Sequence, residues 1–236
     1  MPARARPTAA ALRRQAERAI REAEAGRSRL PPAVLALEGL SSPTVRHFMN
    51  NVCRFAAANY LEVGTWKGST LISASYGNPG SFTAVDDFSL RAQPAGEGQD
   101  ARTRLRQVRR RFAARCHTTF HESNCWSHDL LQRLPREVNV YFYDGPHGFS
   151  DQYKAFTHFE PLLARDYLAV VDDWNRPGVR AATRDAIADL GHSVAWEREF
   201  FTRGWHVPHI TGHWPPVHWF NGLLVAVLRK PGRRAA

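Results

Sequence analysis

Acidic and polar side chains recur where apolar runs of this sequence end. Glu62 closes "YLE", Asp86 and Asp87 follow "SFTAV", Glu122 to Asn124 follow "HTTFH", Asp144 follows "VNVYFY", and Asp172 and Asp173 follow "DYLAVV". Such short runs, rich in β-branched and aromatic residues and bounded by turn formers, read as strands. One carboxylate at a strand end could cap a helix, but five strand ends meeting on one rim would form a site. The first run continues as "EVGTWKGST", with Gly64 and Gly68 flanking Trp66 and Lys67, and with Ser69 and Thr70 following. A strand that turns tightly into a helix leaves backbone N–H groups facing the gap, and glycines allow a ligand to approach them.

The ligand can be narrowed by charge. A dinucleotide-binding turn reads GxGxxG and seats a pyrophosphate on a helix N-terminus, whereas here an acid, Glu62, stands beside the turn. That suits a cation. S-adenosylmethionine carries a sulfonium and an ammonium and no phosphate, and Asp86 is placed to accept from both ribose hydroxyls. The cofactor residues expected are Glu62, Gly64, Trp66, Gly68, Ser69, Thr70, Asp86, Ser123, Asn124 and Asp144. A generic strand–turn–helix is the alternative. Asp144, Asp172 and Asp173 offer hard oxygen ligands of the kind Mg²⁺ takes while retaining water, and a dication on an acceptor oxygen lowers its pKa. Alternatively, they are turn carboxylates that cap "RPGVRAATRD". His147, three residues beyond Asp144, is the candidate general base, since imidazole titrates near neutrality.

"EVGTWKGST" resembles the E-x-G-x-W-[KR]-G segment of macrocin-type O-methyltransferases, which act on antibiotic sugars and belong to the S-adenosylmethionine-dependent methyltransferases of Rossmann-like fold. "AVDDF", "YFYDGPH" and "VVDDWN" resemble that family's second, fourth and fifth strand ends, in the same order. The similarity runs from Tyr60 to Asn175 and is weak outside, so the acceptor does not transfer with it. In the metal-dependent relatives the positions of Asp144, Asp172 and Asp173 look like the metal ligands. At the place of His147 the macrocin-type enzymes carry an aspartate and catechol-type relatives a lysine, so the role of this histidine stays open.

The elements that must position these groups follow from periodicity. A helix to Ala25, the break "SRLPPA" and a helix begun by Ser42 and Pro43 form an extension over residues 1–45, ahead of a methyltransferase domain over residues 46–236. Ser at the cap and Pro in the first turn are both favoured there. From Tyr60 strands alternate with helices, which implies an α/β, doubly wound, Rossmann-like sheet whose ligands bind beyond the carboxyl ends of its strands. "SVAWEREFF" and "GLLVAVLRK" are joined by a loop and should pair antiparallel.

The net charge of +10 comes almost entirely from arginine, with lysine only at 67, 154 and 230. In "RTRLRQVRRRFAAR" Leu105, Val108 and Phe112 recur at helical spacing, so the arginines form a solvated face. Cys53, Cys116 and Cys125 make no disulfide framework, which fits a reducing compartment, and with His117, His121 and His128 they match no zinc spacing. With neither an apolar membrane-length window nor a secretory leader pattern, the expectation is a cytoplasmic protein without membrane partner. "TRGWHVPHITGHWPPVHWF" holds Trp205, Trp214 and Trp219 with His206, His209, His213 and His218. It could wall an acceptor site or simply cover the sheet edge. The N-terminal helices could serve as a lid or as the surface of a homo-oligomer. The function expected is Mg²⁺-dependent O-methylation of a small-molecule or glycan hydroxyl, with nucleic acid not expected as partner. An RNA methyltransferase, a non-catalytic basic nucleic-acid-binding module and a nicotinamide-dependent oxidoreductase are the alternatives, the last opposed by the absence of GxGxxG.

Overall fold

The computed structural model describes residues 6–89, 97–202 and 216–232. Its sheet is organised around β4 (Val138–Tyr143), buried at every position, as a strand covered on both faces must be. β1 (Asn59–Val63) and β5 (Leu163–Val171) flank β4 in parallel. β2 (Ser81–Asp86) and β3 (Thr118–Glu122) continue the parallel sheet beyond β1. β7 (Leu223–Arg229) lies antiparallel between β5 and β6 (Ser193–Phe200), giving the order β3-β2-β1-β4-β5-β7-β6. The sheet is therefore doubly wound and ends in the antiparallel pair expected. Since β6 opposes β7, it runs with β1 to β5 and ends on the same rim. β5 starts at Leu163, three residues before the sequence pattern suggests, because Leu163 already pairs with Val138.

Alternation along each strand divides the core. Tyr60, Phe82, Val140, Phe142 and Val170 meet α1 (Ala9–Glu24), α3 (Pro43–Val52), α4 (Ser69–Ser75) and α5 (Glu97–Arg111) on one face. Leu61, Val63, Tyr141, Tyr143 and Val171 meet α6 (His128–Arg133), α7 (Phe149–Thr157) and α8 (Pro177–Asp189) on the other. The short α2 (Pro32–Leu35) places Val34 in a smaller cluster with Ile72 and Phe112. Leu105 of α5 and Phe112 just beyond it are buried, while Arg110 and Arg111 are exposed. Ser42 caps α3 by accepting from Val45 N at 3.2 Å, with Pro43 in the first turn. α3 spans the boundary expected between residues 45 and 46, and Leu12, Ala16 and Ala19 of α1 share the core with Phe48 and Val140. No helix among the described residues is long and apolar enough to cross a membrane.

The first helix is tied to the sheet by a carboxylate. Asp166 accepts from Ala9 N at 2.7 Å and from Arg229 Nε and Nη2 at 2.7 and 3.1 Å. The hydrogen bond from Arg229, followed by the one from Ala9, outweighs burial and holds the Asp166 pKa below its ordinary value. Stabilisation from such a group is complete above the unfolded pKa of about 3.9 and is lost as pH falls through the lower native value. Asp166→Asn should therefore destabilise the protein by about 1–3 kcal/mol at neutral pH. Urea unfolding should show the difference from wild type shrinking in acid; a difference that does not change with pH would contradict the clamp.

Candidate functional site

The turn after β1 is shaped by packing as much as by any ligand. Gly64 has φ +87°, and a Cβ there would lie 2.0 Å from the Asp144 carbonyl oxygen. Gly68 has φ +84°, and its Cβ would fall 2.5 Å from Leu105 Cδ1. Both glycines thus make room for neighbouring protein, a reason different from the ligand approach expected. Trp66 between them is also left-handed, at φ 44°, a conformation uncommon for a non-glycine residue. Asp86 holds it there. Its Oδ2 accepts from Thr65 N and Trp66 N, both at 2.7 Å, and its Oδ1 accepts from Phe88 N at 2.7 Å. A carboxylate has about four acceptor positions, so Asp86 is largely engaged by backbone instead of being open to two ribose hydroxyls. Ser69 and Thr70 also face protein: Ser69 Oγ lies 3.2 Å from Ser41 Oγ, and Thr70 Oγ1 donates to Glu62 Oε1 at 2.9 Å. Both hydroxyls thus have protein partners on the inner side of the turn.

Glu62 is fully buried beneath this turn and also accepts from Tyr60 Oη. Burial pushes its pKa up to about 8 against the opposing hydrogen bonds of Tyr60 and Thr70, with the nearby Asp86 charge adding to the rise. Beyond β3, Ser123 N donates to Asp86 O at 3.1 Å, and Asn124 Oδ1 accepts from Trp126 N at 2.8 Å. Both therefore stand at the same rim as the turn.

Backbone bonds between adjacent strand ends gather the next group. Asp144 N donates to Val63 O at 2.8 Å and Asp172 N to Tyr143 O at 3.1 Å. Asp144, His147 and Asp172 then each offer a ligand atom, all within 4.8 Å of one another. His147 Nε2 lies 3.4 Å from Asp144 Oδ1 and 3.7 Å from Asp173 Oδ2. Asp173 is held by protein: Oδ1 accepts from Asn221 Nδ2 at 3.1 Å and Oδ2 from Arg176 Nη1 at 3.2 Å. Of the three acids expected as ligands, Asp173 thus has protein partners on both oxygens, while Asp144 and Asp172 face one space with His147. Gln152, which sequence reasoning missed, orients this histidine. Its amide donates to Thr183 Oγ1 at 3.0 Å, turning its Oε1 toward His147 Nδ1 at 3.4 Å. His147 thus turns Nδ1 to an amide oxygen and Nε2 toward the carboxylates.

Burial first, then the charge of Asp173, drives the Asp144 pKa well above the aspartate range. Burial and the charges of Asp144 and Asp173 do the same to Asp172. Two carboxyl groups facing one space lack a positive charge, and a dication held between them would supply it. The Trp/His-rich segment contributes differently. Trp219 is 5% exposed, stacked 3.9 Å from Phe200 and edge-on to Phe48, so this indole covers the core. His218 N bonds Thr44 Oγ1 at 3.1 Å. Trp205, Trp214, His206, His209 and His213 lie outside the described residues. A cleft of about 990 Å³ opens at the other end of the sheet, beside Asn59, Ser81 and Thr118, away from these groups.

Residues 61–174 match the sequence model of a family described as a methyltransferase domain. No curated protein matches the chain. An O-methyltransferase from Bacillus cereus in complex with SAH is similar over 92% of this chain and 91% of its own, at 15% identity and a TM-score of 0.55. A SAM-dependent O-methyltransferase from Thermotoga maritima is similar over 87% of this chain and 74% of its own, at 10% identity and a TM-score of 0.57. An RNA-methyltransferase candidate from Pyrococcus horikoshii is similar over 92% and 98%, at 10% identity and a TM-score of 0.51. At such identities the likeness is one of fold: the chain has the Rossmann-like fold of these methyltransferases.

If the rim is short of positive charge, removing one negative charge should stabilise the free protein. Asp172→Asn is expected to raise the melting temperature without metal, by about 2–4 °C for each ~1 kcal/mol of repulsion relieved. It should also abolish the further rise that Mg²⁺ or Mn²⁺ gives the wild type. A variant that melts lower and still responds to dication would contradict the charge deficit.

Proposed function

We propose that this chain is an S-adenosylmethionine-dependent O-methyltransferase that uses a divalent cation and acts on the hydroxyl of a small molecule or sugar. The observation that carries this reading is the row of carboxyl groups along one rim, Glu62, Asp86, Asp144 and Asp172, with burial and neighbouring charge raising the pKa of Glu62, Asp144 and Asp172. Such a rim suits a cationic donor beside a dication. The fold relatives described as O-methyltransferases, one of them in complex with SAH, support it.

When bound, the donor supplies an electrophilic methyl group on a cationic sulfur, and the dication supplies Lewis acidity at the acceptor oxygen. The protein supplies placement. Asp144 and Asp172 would hold the cation, with their spacing set by strand register. Asp144 is joined through its own N–H to Val63, at the start of the donor turn. Donor and acceptor sites are therefore fixed to one rigid backbone, the condition for in-line transfer. His147, with its Nε2 toward the carboxylates, takes the proton of the acceptor hydroxyl. Phe149, two residues on and 53% exposed, offers a flat apolar face suited to a sugar or aromatic ring.

The net charge and the exposed arginines of α5 favour a second reading, RNA as acceptor. A transfer assay with labelled donor against sugars, phenols and RNA, each with and without chelator, separates the two. Label should appear on small hydroxyl compounds and vanish with chelation. Label confined to RNA would replace the acceptor class, and label indifferent to exhaustive chelation would remove the cation.

His147→Ala is expected to lower kcat by about 10²-fold while leaving dication affinity unchanged. Calorimetric titration with Mn²⁺ checks the second half. Loss of Mn²⁺ affinity would reassign His147 as a ligand.

A further inference from the structure

Lys67 sits in the donor turn, yet none of the chemistry above uses it. It is 7% exposed, and its Nζ lies 2.6 Å from Glu38 Oε1 and 3.2 Å from Asp100 Oδ2. The ammonium also lies 4.4 Å from the centre of the Trp66 ring. Arg104 Nε closes the charge network, 3.7 Å from Glu38 Oε2 and 3.8 Å from Asp100 Oδ1. Three elements remote in sequence meet at this one cation: the segment between α2 and α3, the turn after β1, and the first residues of α5. Burial disfavours the Lys67 charge, but the hydrogen bonds it donates to Glu38 and Asp100 outweigh burial and hold its pKa above the ordinary lysine value.

The segment carrying Glu38 is shaped from behind by another buried cation. Arg46, 3% exposed, donates to Leu35 O at 2.7 Å, Leu37 O at 2.6 Å, Ser41 Oγ at 3.0 Å and Gly39 O at 3.4 Å. A planar guanidinium with five donors can hold an irregular loop in this way, whereas a point charge could not. The loop is pressed onto the start of α4, for a Cβ at Gly39 would lie 2.1 Å from Ser69 Oγ. Its back is fixed by Arg46, and its front is fastened at Glu38 by Lys67, with Arg104 further off. Glu38 and Asp100 are about half exposed, at 56% and 50%, so each pair is individually weak and sensitive to salt. Together they bias a loop without locking it.

We propose that Lys67 is a positioning residue for the donor: by bridging Glu38 and Asp100 it latches segment 36–42 and α5 onto the Gly64–Gly68 turn, and donor affinity depends on that latch. The proposal rests on the donor reading above. A ligand that needs the latched state has its apparent Kd raised by the inverse of the latched fraction. The chemical step, at the far side of the turn beside Asp144 and His147, is left unchanged once donor is bound.

The test compares wild type, Lys67→Met and Lys67→Arg by calorimetry with SAH, by donor KM and kcat, and by amide hydrogen exchange without ligand. Lys67→Met is expected to weaken SAH binding and raise donor KM by about 10-fold, with kcat at saturating donor within about 3-fold of wild type. Exchange across residues 36–42 should be about 10-fold faster even without donor. Lys67→Arg, which keeps the charge, should recover most of both effects. Should Lys67→Met fail to fold, Glu38→Gln and Asp100→Asn keep the lysine and should show the same KM-against-kcat split in weaker form. Wild-type SAH affinity and wild-type exchange in Lys67→Met would overturn the latch, as would a fall in kcat alone. Wild-type protein that binds no SAH would overturn the donor reading and the positioning role with it, while faster exchange in the variant would still establish the latch itself.

Discussion

Strand register forces like charges together at one end of this sheet, and most of what is distinctive about the site follows from that constraint. Parallel neighbours end in step, so the residues just beyond β1, β4 and β5 cannot avoid one another. The bonds Asp144 N to Val63 O and Asp172 N to Tyr143 O fix the spacing in backbone, which side-chain repulsion cannot relax. The carboxylates respond in the only way left to them, by holding protons above the usual range. That is an unfavourable arrangement for a free protein and a favourable one for a protein that binds cations. A buried Glu62 beneath the donor turn extends the same field toward the place where a sulfonium would lie.

Against this strained rim the protein sets fastenings built from main-chain donors and buried cations. Asp86 gathers three backbone N–H groups and so keeps Trp66 in a left-handed conformation. Arg46 gathers backbone carbonyls and a hydroxyl of the segment between α2 and α3. The two devices are complementary in sign, one ordering the turn after β1 and the other the segment that carries Glu38. The N-terminal helices belong to the same construction: α1 and α3 fill the core against the sheet, and the segment between α2 and α3 rests on α4.

Much of this was legible in one dimension, and the misses have a common cause. Strands showed as apolar runs because central strands are buried on both faces, and the acids at their ends showed because a rim is punctuated by polar residues. The need for glycine at 64 and 68 was also legible, but its reason was not: Gly64 makes room for the Asp144 carbonyl and Gly68 for Leu105, contacts across 80 and 37 positions of chain. The protein partners of the Ser69 and Thr70 hydroxyls, Ser41 and Glu62, were likewise invisible in the local sequence. Gln152 and Glu38 carried no signal at all, since an amide on a helix and an acid in a loop are ordinary until a histidine or a buried lysine is found beside them.

What the sequence determined by itself was the order of elements, the doubly wound sheet and the collection of acids at its carboxyl end, because periodicity and chain reversal are local properties. Only the tertiary structure decided which partners each acid meets. Asp172 and Asp173 are neighbours with the same chemistry, yet one faces Asp144 while the other is taken by Asn221 and Arg176. Successive residues leaving a strand point in different directions, and which of them meets a donor depends on β7 and α8, elements that arrive from elsewhere in the chain.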